Sequence, residues 1–280
     1  MKIAILGHGV FGSAMASRLA LKGHTILKNV IKDSDVILVS VPSYAVSGVL
    51  MSHKSEIIST QKIVICSKGF DKSGELFSVV LEKEFPDNDI YFLYGPTLAE
   101  ELRSGTFSVM VLAGGEGKEE LKKEIESDSL YVQLSNDIIG VQVGSALKNT
   151  VGIFVGLVEG AGYGENTQGF VYSMGLQKIQ KIGVYMGAKP ETFLGFTCAG
   201  DLFLRSRSRI LGVEIGKGRS FEEVSIEMTY PKEGISSLKN ILKKQDEIDI
   251  DLQFFQIIHE VVFEGLSVKE AVVKLANIIE

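Results

Sequence analysis

Apolar residues follow two rhythms along the 280-residue chain, and the rhythm changes near residue 135. Before that point, short and nearly continuous apolar runs recur: Lys2–Leu6, Asp35–Val41 (DVILVSV), Lys62–Cys66, Tyr91–Leu93, Phe107–Ala113 and Leu130–Leu134, with a weaker one at Gly23–Lys28. Runs of that length without polar alternation suit strands buried on both faces of a parallel sheet. Helix-like stretches separate several of them, at Ser13–Leu21, Tyr44–Met51 and Leu98–Arg103. Strands alternating with helices predict an α/β domain, a Rossmann-like doubly wound sheet, over residues 1–135. From Asp137 onward helical periods take over, at Ile138–Leu157, Gln168–Met186, Glu191–Leu204, Ser236–Lys244, Gln253–Phe263 and Ser267–Ile279. Pro190 suits a first helical turn, and Ser267 with Glu270 forms a capping-box signal. Residues 136–280 are therefore expected to form an all-α domain.

The first strand runs into Gly7, Gly9 and Gly12, spaced G-x-G-x-x-G, and then into a helix. Gly7 permits a sharp turn, Gly9 lets a phosphate approach the backbone, and Gly12 lets the helix pack against the strand. The unpaired N–H groups of the first helical turn then face the anion. A plain strand-to-helix corner carries similar glycines, but the strand, turn, helix order favours a dinucleotide site. Dinucleotide folds usually end the next strand with an acidic residue on the adenosine ribose. Here it ends in Lys28-Asn29, and Asp33 reads as a loop or cap residue. Lys28 either faces a 2′-phosphate or is a solvated strand end. Ligands bind beyond the carboxyl ends of such strands, so Val41-Pro42-Ser43, Lys68-Gly69 and Gly95–Thr97 should open onto one crevice.

Composition narrows the function. A chain 45% hydrophobic with five prolines is globular, and a net charge of -6 gives no broad positive field for nucleic acid. Two distant cysteines, Cys66 and Cys198, fit free thiols in a reducing compartment. The N-terminal run enters the glycine turn instead of a cleavage site, and no uncharged apolar stretch approaches the ~20 residues of a membrane span. A cytoplasmic protein without membrane insertion is expected. His8, His24, His53 and His259 share no metal spacing, so no metal and no catalytic triad are assigned.

In the helical half, Lys148 stands in an apolar run within Ser145-Ala146-Leu147-Lys148-Asn149. It is either a snorkelling surface lysine, which composition alone slightly favours, or a buried amine suited to proton transfer. Asp201, after Gly200, reads as a helix cap or a site carboxylate. Ser206-Arg207-Ser208-Arg209 reads as a solvated helix face or a phosphate clamp.

Taken together, Gly7–Gly12, Val41–Ser43, Ser67–Gly69, Gly95–Leu102, Asn136–Gln142, Ser145–Asn149, Gly200–Leu202 and Ser206-Arg207 resemble the bacterial NAD(P)-dependent glycerol-3-phosphate dehydrogenases, in family order over almost the whole chain. The resemblance implies reversible reduction of dihydroxyacetone phosphate, a small phosphorylated substrate, to sn-glycerol 3-phosphate with NAD or NADP as cofactor. It implies Lys148 as general acid and Asp201 as its partner. Lys68, Gly95 and Thr97 would meet substrate or nicotinamide. Gly7, Gly9, Val10, Phe11, Gly12, Ala99 and Glu233 would line the cofactor. Ser206, Arg207 and Ser208 would grip the substrate phosphate, with Arg207 also reaching the cofactor. Three departures stand out. The segment after Lys28 lacks the family's further helix and strand, only Arg205 separates Leu204 from Ser206, and Ser208 stands where the family usually has Asn. The alternatives are a β-hydroxyacid-type dehydrogenase and a degenerate relative without cofactor. The sequence leaves the oligomeric state open, a homodimer included.

Overall fold

The computed structural model describes residues 1–230 and 232–279. Among these, β1 (Lys2–Leu6), α1 (Val10–Leu21), β2 (Thr25–Lys28), β3 (Val36–Val39), α2 (Val46–Ser52), β4 (Lys62–Ile65), α3 (Phe77–Glu84), β5 (Ile90–Tyr94), α4 (Ala99–Ser104), β6 (Ser108–Gly114), α5 (Lys118–Ile125) and β7 (Leu130–Ser135) build one seven-stranded sheet with its helices. The strand order is β2-β1-β3-β4-β5-β6-β7, parallel throughout except where β6 runs antiparallel to β5. Helix α1 packs Ala14, Met15 and Leu19 on one face, against Ile3, Ile5, Val36 and Leu38. Helices α2 and α3 pack Val46, Leu50, Phe77 and Leu81 on the other, against Ala4, Leu6, Ile37 and Val39. The apolar strands are thus buried on both faces, as their lack of alternation requires.

The link from β2 to β3 is short. Parallel strands are usually joined by a dozen or more residues, most often through a helix, yet only residues 29–35 cross here. The strap starts at Asn29, whose left-handed backbone (φ 52°) turns the chain as its N–H donates to Ile5 O. Ile31 is buried on the face opposite α1, where a helix would otherwise lie. The buried side chain of Gln61 holds the strap, its amide donating to the carbonyls of Ile31 and Ser34. At the far end Asp35 N–H donates to Lys2 O and its carboxylate accepts from Lys2 N–H at 2.7 Å.

After β7 the chain is helical: α6 (Ile138–Gly160), α7 (Glu165–Tyr185), a 3₁₀ turn at Pro190–Leu194, a π-turn at Phe196–Gly200, the one-turn α8 (Asp201–Phe203), α9 (Arg207–Gly216), α10 (Phe221–Glu227), α11 (Glu233–Lys243), α12 (Gln253–Phe263) and α13 (Val268–Ala276). The single helix expected over 191–204 is instead three short pieces. Gly195, in extended conformation, ends the first, and Gly200 closes the second. Helices α3, α5, α9 and α10 are too short or too polar for their apolar period to be read from sequence. Asp137 caps α6 by accepting from Gly140 N–H at 2.9 Å. By length and composition α6 could cross a membrane, with a mean hydropathy of 1.4, but it is buried inside the helical half.

Candidate active site

Helix α6 places the central lysine. Gly140, Gly144, Gly152, Gly156 and Gly160 fall four residues apart along it, and Lys148 occupies the remaining step. Residues at that spacing share one helix face, and on this face neighbouring backbone comes very close. A methyl group at Gly156 would lie 2.1 Å from Arg209 O, and one at Gly160 2.1 Å from Val213 O. The fit is reciprocal, since methyl groups at Gly212 and Gly216 of α9 would lie 2.0 and 2.2 Å from the carbonyl oxygens of Ile153 and Leu157. Toward the start of α6, Gly144 faces Cys198 in the π-turn. Lys148 therefore points into the segment carrying residues 198–209 and is only 4% exposed. The snorkelling reading that composition favoured is wrong, because the glycine stripe brings that face against backbone and not water.

Asp201 meets it there. Its Oδ1 lies 3.0 Å from Lys148 Nζ and its Oδ2 2.5 Å from Lys68 Nζ. Its carboxylate is buried and engaged by these two lysines, and its side chain makes no capping hydrogen bond to α8. Lys68, just beyond β4, also donates to Gly95 O at 2.8 Å. Burial pushes the Lys148 amine below the usual lysine range. The Asp201 carboxylate opposes that, while the neighbouring Lys68 ammonium adds to it. Tyr172 OH donates to Ala199 O at 2.6 Å and so fixes the turn that precedes Asp201. The Cys66 thiol, buried, is pushed up to about 12, and burial also raises Cys198, so neither is a nucleophile at neutral pH.

The α/β half supplies the facing wall. The glycine turn has a dinucleotide cradle: Gly7 is left-handed (φ 97°), and a methyl group at Gly12 would lie 2.0 Å from Gly7 O. At Gly9 a methyl group would meet nothing within 4 Å, so the space over the turn is open. Gly9 is also the N-cap of α1 and offers no side-chain acceptor, which leaves the first-turn N–H groups for an anion. Val10 is exposed at that first turn, while Phe11 and Ala99 pack against one cluster under it. Gly95 is required sterically, since its methyl group would lie 2.4 Å from Val109 O. Thr97 Oγ1 donates to Gly95 O at 3.4 Å. Pro96 lies against Gly200, which brings the Gly95–Thr97 loop to the Asp201 turn.

Glu233 joins the two halves. It opens α11, which is anchored on α6 by Thr150 Oγ1 donating to Gly234 O at 2.8 Å. Its carboxylate accepts the Ser43 N–H at 3.0 Å and the Ser43 hydroxyl. Gly69 is packed against the same pair. Burial raises the Glu233 carboxyl above its ordinary range, against the pull of the two Ser43 bonds. Ser43 and Gly69 thus meet at Glu233, and Lys68 bonds Gly95, so the three loops converge.

The Ser206–Ser208 cluster is only partly gathered. Ser206 caps α9, accepting from Arg209 N–H at 3.4 Å, and lies against Gly152, one helical turn beyond Lys148. Ser208 is buried. Arg207 is exposed, its guanidinium 5.0 Å from the centre of the Tyr230 ring, and makes no contact with Asp201 or Lys148. Arg209 is turned away, bonded to Glu159 and Gln168. Among the described residues no cluster of three or more His, Cys, Asp or Glu could hold a metal ion.

Comparison with known proteins decides the family. Residues 25–120 match the model of the NAD-dependent glycerol-3-phosphate dehydrogenase N-terminus, and residues 137–273 that of its C-terminus. The chain belongs to the NAD-dependent glycerol-3-phosphate dehydrogenase family. Among curated members, the glycerol-3-phosphate dehydrogenase [NAD(P)+] of Leptospira biflexa is 31% identical over 320 positions, spanning 97% of this chain and 96% of the relative. That of Bacillus subtilis is 34% identical over 267, spanning 91% and 77%. The Leptospira alignment is longer than this chain, so the relative carries segments this glycerol-3-phosphate dehydrogenase family member lacks. The fold agrees: the crystal structure of the Coxiella burnetii glycerol-3-phosphate dehydrogenase superposes with a TM-score of 0.93 over 98% of both chains, at 24% identity. D-mandelate dehydrogenase with NADH superposes less well, at 0.64.

Sequence reasoning missed the Ser43–Glu233 link and Tyr172. No local motif marks either, since each pairs residues far apart in the chain. The glycine stripe, by contrast, was readable and would have settled the burial of Lys148.

Proposed function

We propose that the chain is an NAD(P)-dependent dehydrogenase that reversibly reduces dihydroxyacetone phosphate to sn-glycerol 3-phosphate, a precursor for glycerophospholipids. The observation that carries this reading is Asp201, a buried carboxylate shared by Lys148 of the helical half and Lys68 of the half that carries the open glycine turn. Residues 1–135 act as the dinucleotide-binding domain and residues 136–280 as the substrate and catalytic domain.

A nicotinamide cofactor would supply hydride to the substrate carbonyl carbon. The chain's own residues do the rest. Lys148 gives its proton to the carbonyl oxygen, and its charge stabilises the negative charge that builds there. Asp201 keeps Lys148 charged against the cost of burial and orients it. Lys68 and the Gly95–Thr97 loop hold the substrate on the opposite side. Gly7, Gly9, Gly12, Val10, Phe11 and Ala99 bind the cofactor, with Glu233 and Arg207 at its edge. Ser206, Ser208 and Arg207 take the phosphate, which requires Arg207 to leave Tyr230 and swing toward Lys148. In the reverse direction neutral Lys148 accepts the hydroxyl proton. The two buried thiols support a cytoplasmic setting.

Purified protein should oxidise NADH or NADPH when given dihydroxyacetone phosphate, with absorbance at the nicotinamide band as the readout. Preference for a small 2-keto or 3-keto carboxylate over the triose phosphate would instead favour a β-hydroxyacid dehydrogenase. Turnover of neither, with no cofactor-induced stabilisation, would mark a degenerate relative.

A further inference from the structure

Arg207 opens α9, the helix whose cap, Ser206, lies against Gly152, one turn beyond Lys148. A cation in a first helical turn is opposed by the helix dipole, which favours an anion at that end. Among the described residues the Arg207 guanidinium makes no hydrogen bond or ion pair. What holds it is the half-buried Tyr230 ring, whose centre lies 5.0 Å from the guanidinium carbon. The hydroxyl of that ring donates to the Arg207 carbonyl oxygen at 3.1 Å, so Tyr230 meets both the side chain and the backbone of one residue.

The ring itself is tied down. Its hydroxyl also lies 2.8 Å from Met228 Sδ. Lys232 Nζ sits 5.3 Å from the ring centre, and it donates to Ser225 O at 3.3 Å and to Met228 O. Lys232 is the N-cap residue of α11, and Glu233 after it holds Ser43 of the other half. Two cations therefore share one aromatic ring. Backbone carbonyls anchor Lys232 and nothing comparable anchors the Arg207 side chain, so Arg207 is the one free to leave.

We propose that Tyr230 is a positioning residue that parks Arg207 away from Lys148 until a phosphate dianion draws it off. This rests on Arg207 taking the substrate phosphate, as in the dehydrogenase reading above. The ring stabilises the guanidinium only in the parked position, so breaking the stack weakens the binding of every phosphorylated ligand. A cation–π contact at an exposed site corresponds to about a two- to fivefold weakening. The charge-assisted bonds between guanidinium and phosphate are stronger than the stack, so the dianion wins.

Steady-state kinetics and fluorescence on the full chain test it. Tyr230→Leu should lower both the KM for dihydroxyacetone phosphate and the inhibition constant of inorganic phosphate about two- to fivefold, with kcat within about twofold of the unaltered value. Tyr230→Phe keeps the ring and should match the unaltered protein. The chain has no tryptophan, so Tyr230→Trp supplies a sole reporter over Arg207. Inorganic phosphate should shift its emission, sodium chloride at equal ionic strength should not, and adding Arg207→Met should abolish the shift. A KM that is unchanged or rises in Tyr230→Leu, a Tyr230→Phe variant that behaves like Tyr230→Leu, or an emission indifferent to phosphate would overturn the proposal. An Arg207-dependent emission shift in a protein that does not turn over dihydroxyacetone phosphate would uphold the parking of Arg207 and overturn the dehydrogenase reading.

Discussion

Replacing Asp201 by asparagine removes one charge from between two lysines while keeping the shape. Lys148 Nζ lies 3.0 Å from that carboxylate. Two unit charges at that separation, at an effective dielectric near 20, attract by about 5.5 kcal/mol. Part of this is offset by the burial of Lys148 and Asp201 and by Lys68, whose ammonium opposes the charge on Lys148. A nearby opposite charge typically moves a titration by about one to three pH units. The sign is fixed: Asp201 favours the charged amine, so its loss lets Lys148 deprotonate at lower pH. Ketone reduction needs the protonated amine and declines as pH rises through its pKa, already below the usual lysine range in the unaltered protein. In Asp201→Asn the alkaline limb of kcat/KM for dihydroxyacetone phosphate should therefore move acidward by about one to three pH units. Lys68→Met should move it the other way, because it removes a like charge. The assay is the pH profile of both variants beside the unaltered enzyme, with circular dichroism to confirm folding. An alkaline limb that stays put in Asp201→Asn, or moves alkaline, would refute the electrostatic coupling of the three groups.

Two substitutions at glycines test the architecture. Gly9→Ala should fold normally, since a methyl group there meets nothing within 4 Å, yet should lose the rise in Tm that NADH or NADPH is expected to give the unaltered protein; a rise retained in the variant would remove the turn from cofactor binding. Gly156→Ala forces a methyl group to 2.1 Å from Arg209 O and should cost about 3 kcal/mol through displaced backbone, read as a fall in Tm; a Tm within about 2 °C of the unaltered protein would mean that the α6–α9 contact is looser than described.

Much of this molecule is legible along the chain because its determinants are local. The buried strands announce themselves through unbroken apolar runs, and the first crossing through Gly7, Gly9 and Gly12. The helical half is visible in the period of α6, α7 and α12. What escapes is set by tertiary contact. The antiparallel β6 has the same apolar run as its parallel neighbours. The 191–204 stretch has helical composition, but extended Gly195 and the bulge at Phe196–Gly200 break it to aim Asp201 at Lys148. Lys148 itself looked ambiguous because hydrophobic neighbours occur beside snorkelling and buried lysines alike. The spacing of Gly144, Gly152 and Gly156 around it distinguishes the two. Arg207, given to the phosphate grip by family resemblance, lies over Tyr230 in this structure, a partner that no motif foretells.

The account stands most directly on Lys148 as the proton donor. Single-turnover and steady-state rates of dihydroxyacetone phosphate reduction should be compared in Lys148→Met and the unaltered enzyme, with cofactor affinity and Tm measured on the same samples. Loss of a positioned general acid predicts a fall in kcat of about a hundredfold to ten-thousandfold while cofactor still binds. A folded, cofactor-binding Lys148→Met enzyme that turns over within a few-fold of the unaltered rate would contradict it.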